Sequence, residues 1–143
     1  MSHGWTYSGH PVCAAAALTN LDILEREQLT RNAADVGAYL QQSLHAAFDD
    51  HPLVGNVRGE GMLAALELMA DKTERTPFVP SLKVSNRVAQ AALARGLIVR
   101  PLGINDIIGF APPLVATRAD IDEIVGITRQ ALHAASEDLP VSG

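Results

Sequence analysis

The spacing of apolar residues changes character at residue 53, and that change restricts the chain to folds that combine long helices with short strands. Before it, Leu18, Leu21, Ile23 and Leu24, and then Ala33, Val36, Leu40, Leu44 and Phe48, recur at close to helical intervals, as in amphipathic helices. After it come Val54, Val57 and the run Met62-Leu63-Ala64-Ala65-Leu66-Glu67-Leu68, punctuated by Gly55, Gly59 and Gly61. Short apolar runs around glycines predict two strands joined by a glycine-rich turn. A helix is the alternative for the second run.

The boundaries follow from local chemistry. A loop of glycines and small hydroxyls feeds an alanine-rich helix at Pro11, whose missing N–H is not needed in a first helical turn. That helix is expected to run to about Gln28. Thr30 is the expected N-cap of a second helix of about five turns, ended by Asp49-Asp50-His51-Pro52. Residues 71–80 are polar and carry Pro77 and Pro80, so they predict a surface loop. A third helix is expected over residues 81–95, with Val84, Val88, Ala91, Ala92 and Leu93 inward and Gly96 closing it. Residues 97–101 and 106–111 read as a hairpin turning around Gly103 and Asn105. Pro112-Pro113 stops it. Thr117 and Asp120 have the spacing of a capping box for a last helix with the stripe Ile121, Ile124, Val125, Thr128 and Leu132. Residues 136–143 are expected to fray. The order predicts an α+β domain, with helices packed on one face of a small, mostly antiparallel sheet.

With 143 residues, 48% hydrophobic and 19% charged, the chain suits one globular domain with a modest core. Its net charge of -5 offers nothing to a phosphate backbone, so no nucleic-acid partner is expected. Apolar stretches such as residues 12–18 fall short of the roughly 20 needed to span a bilayer, and residues 1–10 do not read as a leader, so no membrane association is expected. A lone cysteine, Cys13, cannot form an internal disulfide, which fits a reducing, cytoplasmic setting; its expected place is buried packing. The histidines show no ligand spacing, so no metal site is expected.

One place carries candidate chemistry. The loop with Thr6 and Ser8 ahead of a helix offers hydroxyls and backbone N–H groups to a phosphate, although the same residues also serve an ordinary helix entry. Arg100, ending a strand, reads on its own as a solvated rim residue. Arg58, beside Gly59, is expected to hold the glycine-rich turn by structural hydrogen bonds.

The run His3-Gly4-Trp5-Thr6-Tyr7-Ser8-Gly9-His10-Pro11-Val12-Cys13-Ala14-Ala15 closely resembles the loop-to-helix segment of class III (omega) aminotransferases, which use pyridoxal 5'-phosphate. Val57-Arg58-Gly59-Glu60-Gly61-Met62 resembles their entry into the C-terminal domain. Gly96-Leu97-Ile98-Val99-Arg100, with residues 107–114, resembles their last strand pair. The resemblance implies the C-terminal part of a fold-type I enzyme: residues 1–28 ending the large cofactor-binding domain, 29–138 forming the small domain, and 139–143 a tail. It implies cofactor contacts from Trp5 and Thr6, reaching the phosphate of the other subunit of a homodimer, and substrate contacts from Arg100 and Trp5. Trp5 replaces a frequent Phe and would narrow a substrate channel.

Transamination also needs a lysine that holds the cofactor covalently. Lys72 and Lys83 are the only lysines, and neither matches that position, so the catalytic lysine is expected upstream and no catalytic residue within this chain. The expected activity is transfer from an amine or ω-amino acid to an oxo acid such as pyruvate. The chain alone is expected to be inactive and to self-associate. Rival readings are a same-fold isomerase or racemase, and a non-catalytic module that binds a partner through the alanine-rich helix.

Overall fold

The computed structural model describes residues 4, 6–103, 105–137 and 139. Helix α1 spans Pro11–Arg26 and α2 spans Leu29–Phe48; strands β1 (Val54–Glu60) and β2 (Leu63–Leu68) follow. A 3-10 turn at Pro80–Leu82 leads to α3 (Val84–Leu93), the strands β3 (Arg100–Leu102) and β4 (Ile107–Phe110), and α4 (Arg118–Ser136). The strands form one sheet in the order β1-β2-β4-β3, every neighbouring pair antiparallel. This is the expected α+β architecture, and the run at residues 62–68 is strand rather than helix.

Alternation along the strands divides the sheet into two faces. Ala64, Leu66 and Leu68 of β2 and Ile108 and Phe110 of β4 are buried, in one core with Leu40, Leu44 and Phe48 of α2, Val84 and Val88 of α3 and Ile121 and Leu132 of α4. Each large apolar side chain so buried stabilises the fold by about 1.5–3 kcal/mol relative to exposure. The opposite face, with Leu63, Ala65 and Glu67, is covered by no helix among the described residues.

The local chemistry is as expected in several places and differs in others. Thr117 and Asp120 do form the reciprocal capping box of α4, and Gly96, at φ 89°, terminates the α3 region. Thr30 does not cap α2. The bend is made two residues earlier by Gln28, left-handed at φ 52°, whose side chain donates to the Glu25 carbonyl at 2.9 Å; Thr30 is already helical. Helix α3 starts later than expected because Lys83, also left-handed, separates it from the 3-10 turn. Leu93 faces solvent rather than the core. Phe78, in the polar loop, and Leu139, in the segment expected to fray, are both buried against the core.

The glycine-rich turn is held from α2 and not by Arg58. The Gln41 side-chain amide donates to the Gly61 and Leu63 carbonyls at 2.9 and 3.1 Å. The helix and the turn approach so closely that a Cβ on Gly37 would lie 2.6 Å from the Gly61 carbonyl carbon. Arg58 itself lies within β1 and pairs with Glu67 of β2.

Helix α1 stands apart. It has no buried residue, its main packing is against α2, and Val12 and Leu18 are 69% and 63% exposed. Cys13 is therefore exposed, contrary to the packing expected of it: an alanine helix buries its thiol only where another element covers it. Among the described residues, no helix is long and apolar enough to cross a membrane.

Candidate functional site

The uncovered face of the sheet carries a row that runs from edge to edge. Arg58 pairs with Ala65, Ala65 with Gly109 and Gly109 with Arg100. Residues directly opposite on neighbouring strands point to the same face, so the row has an arginine at each end and two small residues between. The end strands are roughly 14 Å apart, from three inter-strand spacings.

The two arginines differ in their surroundings. Arg58 Nη1 donates to Glu67 Oε2 at 2.7 Å, so its charge is compensated within the sheet. Arg100 is exposed and, among the described residues, belongs to no ion pair. It borders a shallow depression of about 510 Å³ whose other walls include Leu63, Ile98, Pro101 and Phe110. An arginine without a carboxylate partner, over an apolar floor, is suited to receive one from solution.

Asp106, which sequence patterns did not single out, anchors the hairpin that carries Arg100. Its carboxylate accepts the Ser85 backbone N–H at 2.8 Å, and its own carbonyl accepts the Leu68 N–H at 3.0 Å. Gln41 was missed for the same reason. Each partners a segment about twenty residues away, and no local period reports such a pair.

At the other end of the chain, Thr6 lies in an exposed turn, closed by the His10 N–H donating to the Tyr7 carbonyl at 3.1 Å, with Gly9 at φ 75°. Pro11 then opens α1. The turn leaves the Thr6 hydroxyl accessible to an anion. Trp5 lies outside the described residues. No hydrogen bond among the described residues joins Thr6 to Arg100.

The lysines occupy unremarkable surface positions. Lys72 is exposed and donates to the Asp49 carbonyl, and Lys83 is exposed at the left-handed junction before α3. Among the described residues, no group of three or more His, Cys, Asp or Glu could hold a metal ion.

Residues 1–132 match the family model described as aminotransferase class-III. The chain is 54% identical over 143 residues to the diaminobutyrate–2-oxoglutarate transaminase of Halomonas elongata, covering 100% of this chain and 30% of that protein. It is 43% identical over 131 residues to the putrescine–pyruvate aminotransferase of Pseudomonas aeruginosa, covering 91% of this chain and 28% of that one. Among solved structures, it is similar to the ω-transaminase of Pseudomonas jessenii in complex with PMP, with TM-score 0.86 and 38% identity over 99% of this chain and 31% of that one. The chain thus spans about 30% of the length of the relatives it matches.

Proposed function

This chain belongs to the class III aminotransferase family, and we propose that it serves a pyridoxal-phosphate enzyme moving an amino group from an amine or ω-amino acid to an oxo acid such as pyruvate. The observation that carries the reading is the contrast on the outer sheet face: Arg58 is neutralised by Glu67, whereas Arg100 is exposed beside an apolar depression. In this reading Arg100 grips the substrate carboxylate with two parallel N–H donors and so orients the carbon that exchanges the amino group.

The residues fit one edge of the cofactor, its phosphate. The Thr6 hydroxyl and the neighbouring backbone N–H groups of its turn would donate to phosphate oxygens, from across the interface of a homodimer, with Trp5 beside them. The accessible turn and the absence of any buried residue on α1 support such a reach. The cofactor supplies the electron sink for proton removal at the substrate carbon. Covalent attachment and the acid facing the pyridine nitrogen are assigned to residues outside this sequence, since Lys72 and Lys83 lie on exposed surface. Residues 1–28 then belong to the large domain and residues 29–139 to the small domain, since Leu139 packs against its core.

The test is a hybrid enzyme in which this chain replaces the matching 30% of the Halomonas elongata transaminase. Arg100→Ala in that hybrid should raise the KM for the oxo acid by about 10- to 100-fold, the worth of a hydrogen-bonded charge pair. An unchanged KM would remove Arg100 from substrate binding, and a hybrid that folds and binds cofactor without transaminating would overturn the activity.

A further inference from the structure

We infer that Asp106 is a positioning residue for Arg100. The inference rests on the reading of Arg100 as the carboxylate anchor and adds what holds that anchor in place. Strand β3 is three residues long and lies at the edge of the sheet. Among the described residues its one strand partner is β4, through the pairs Arg100 with Gly109, Pro101 with Ile108 and Leu102 with Ile107. Where β4 begins therefore decides where Arg100 stands.

Asp106 immediately precedes β4 and is 8% exposed. Its backbone carbonyl accepts the Leu68 N–H at 3.0 Å, tying the start of β4 to the end of β2. Its side chain accepts the Ser85 N–H at 2.8 Å, tying the same point to the first turn of α3. That helix has no other anionic cap: Lys83 at its N-cap contributes no side-chain bond, and its first turn contains no acidic residue. A carboxylate is favoured there by the free N–H groups and by the helix dipole. Asp106 occupies this position in the left-handed conformation, φ 47°, which Asp tolerates better than most side chains. One residue thus joins β2, α3 and the hairpin.

Without the carboxylate, the hairpin loses its hydrogen bond to the first turn of α3 while its pairing with β2 persists. The expected consequence is displacement of the β3 edge rather than loss of the fold. A carboxylate anchor is sensitive to small displacements, whereas a donor without a carboxylate does not call on Arg100.

The experiment uses the hybrid enzyme with Asp106→Gly, which suits the positive φ but lacks the carboxylate, and Asp106→Asn, which keeps an acceptor oxygen. KM and kcat are measured for pyruvate and for putrescine, a donor without a carboxylate. Asp106→Gly should raise the KM for pyruvate about tenfold and leave the KM for putrescine near the parent value. Asp106→Asn should restore the parent behaviour. If Arg100→Ala raises the pyruvate KM and Asp106→Gly does not, the positioning role fails while the reading of Arg100 stands. If Arg100→Ala changes nothing, the underlying reading fails. An equal loss of kcat with both substrates, unrescued by Asn, would make Asp106 structural only. Should the Gly hybrid not fold, amide exchange in an Asp106→Ser hybrid decides: protection at Arg100 and Leu102 should fall, and unchanged protection would overturn the inference.

Discussion

Arg58 Nη1 and Glu67 Oε2 lie 2.7 Å apart on the outer face of the sheet, and this pairing divides two arginines that share one row. The side chains are 44% and 23% exposed, so water screens much of their attraction. Exposed pairs of this kind contribute at most about 1 kcal/mol. Arg58→Ala should therefore lower the urea unfolding free energy by no more than that, and in the hybrid enzyme it should leave the oxo-acid KM unchanged. A large KM effect would show that Arg58 shares the substrate carboxylate.

Gly37 sets two opposing effects against each other. In an exposed helix interior, Gly→Ala gains about 1 kcal/mol of helix propensity. Here the new Cβ would lie 2.6 Å from the Gly61 carbonyl carbon, which is backbone and cannot rotate away. Overpacking of that kind costs about 1–3 kcal/mol, so Gly37→Ala should destabilise the chain in urea melts, with Met62 and Leu63 shifted in their NMR resonances. A rise in stability would mean that the turn yields freely.

His51 is held below its ordinary value of 6.5, first by burial and then by the nearby charges of Lys72 and Arg129. A histidine lowered on folding binds fewer protons in the native than in the unfolded state, so its contribution is present above the unfolded value of 6.5 and is lost as pH falls through the lower folded value. The neutral ring also accepts the Leu53 N–H at 3.2 Å, which protonation of that nitrogen would end. Tm should decline as pH falls below about 6.5, and His51→Gln should flatten that decline. An equally steep decline in the variant would assign it elsewhere.

The sequence discloses most where a signal is local. The periods of α2 and α4, the Thr117–Asp120 capping box and the glycine punctuation around residues 55–61 all act within a few residues, and each is found in the fold. Arg100 was legible as a strand arginine, but it opens β3 rather than ending a strand, since residues 97–99 are not strand, and its lack of an ion pair depends on the register that gives Glu67 to Arg58. The left-handed bends at Gln28 and Lys83 escaped because neither residue type announces a positive φ. Asp106 and Gln41 escaped because their partners are about twenty residues away. Cys13 was misplaced because a helix sequence alone does not say whether anything covers it.

The exposure of α1 has a chemical readout. Cys13 is exposed near the start of a helix with no buried residue, so its thiol should react with a disulfide reagent in the 143-residue chain without denaturant, and as fast as a free cysteine of similar thiolate content. The apolar side chains beside it, Val12 and Leu18, favour covering that helix with another surface. The isolated chain should therefore self-associate in sedimentation as its concentration rises. The homodimer proposed for the whole enzyme would cover the same helix, so Cys13 should react markedly more slowly in the hybrid than in the isolated chain. Equal rates in both would mean that α1 remains open in the assembled enzyme, and would remove its support for a Thr6 contact across the interface.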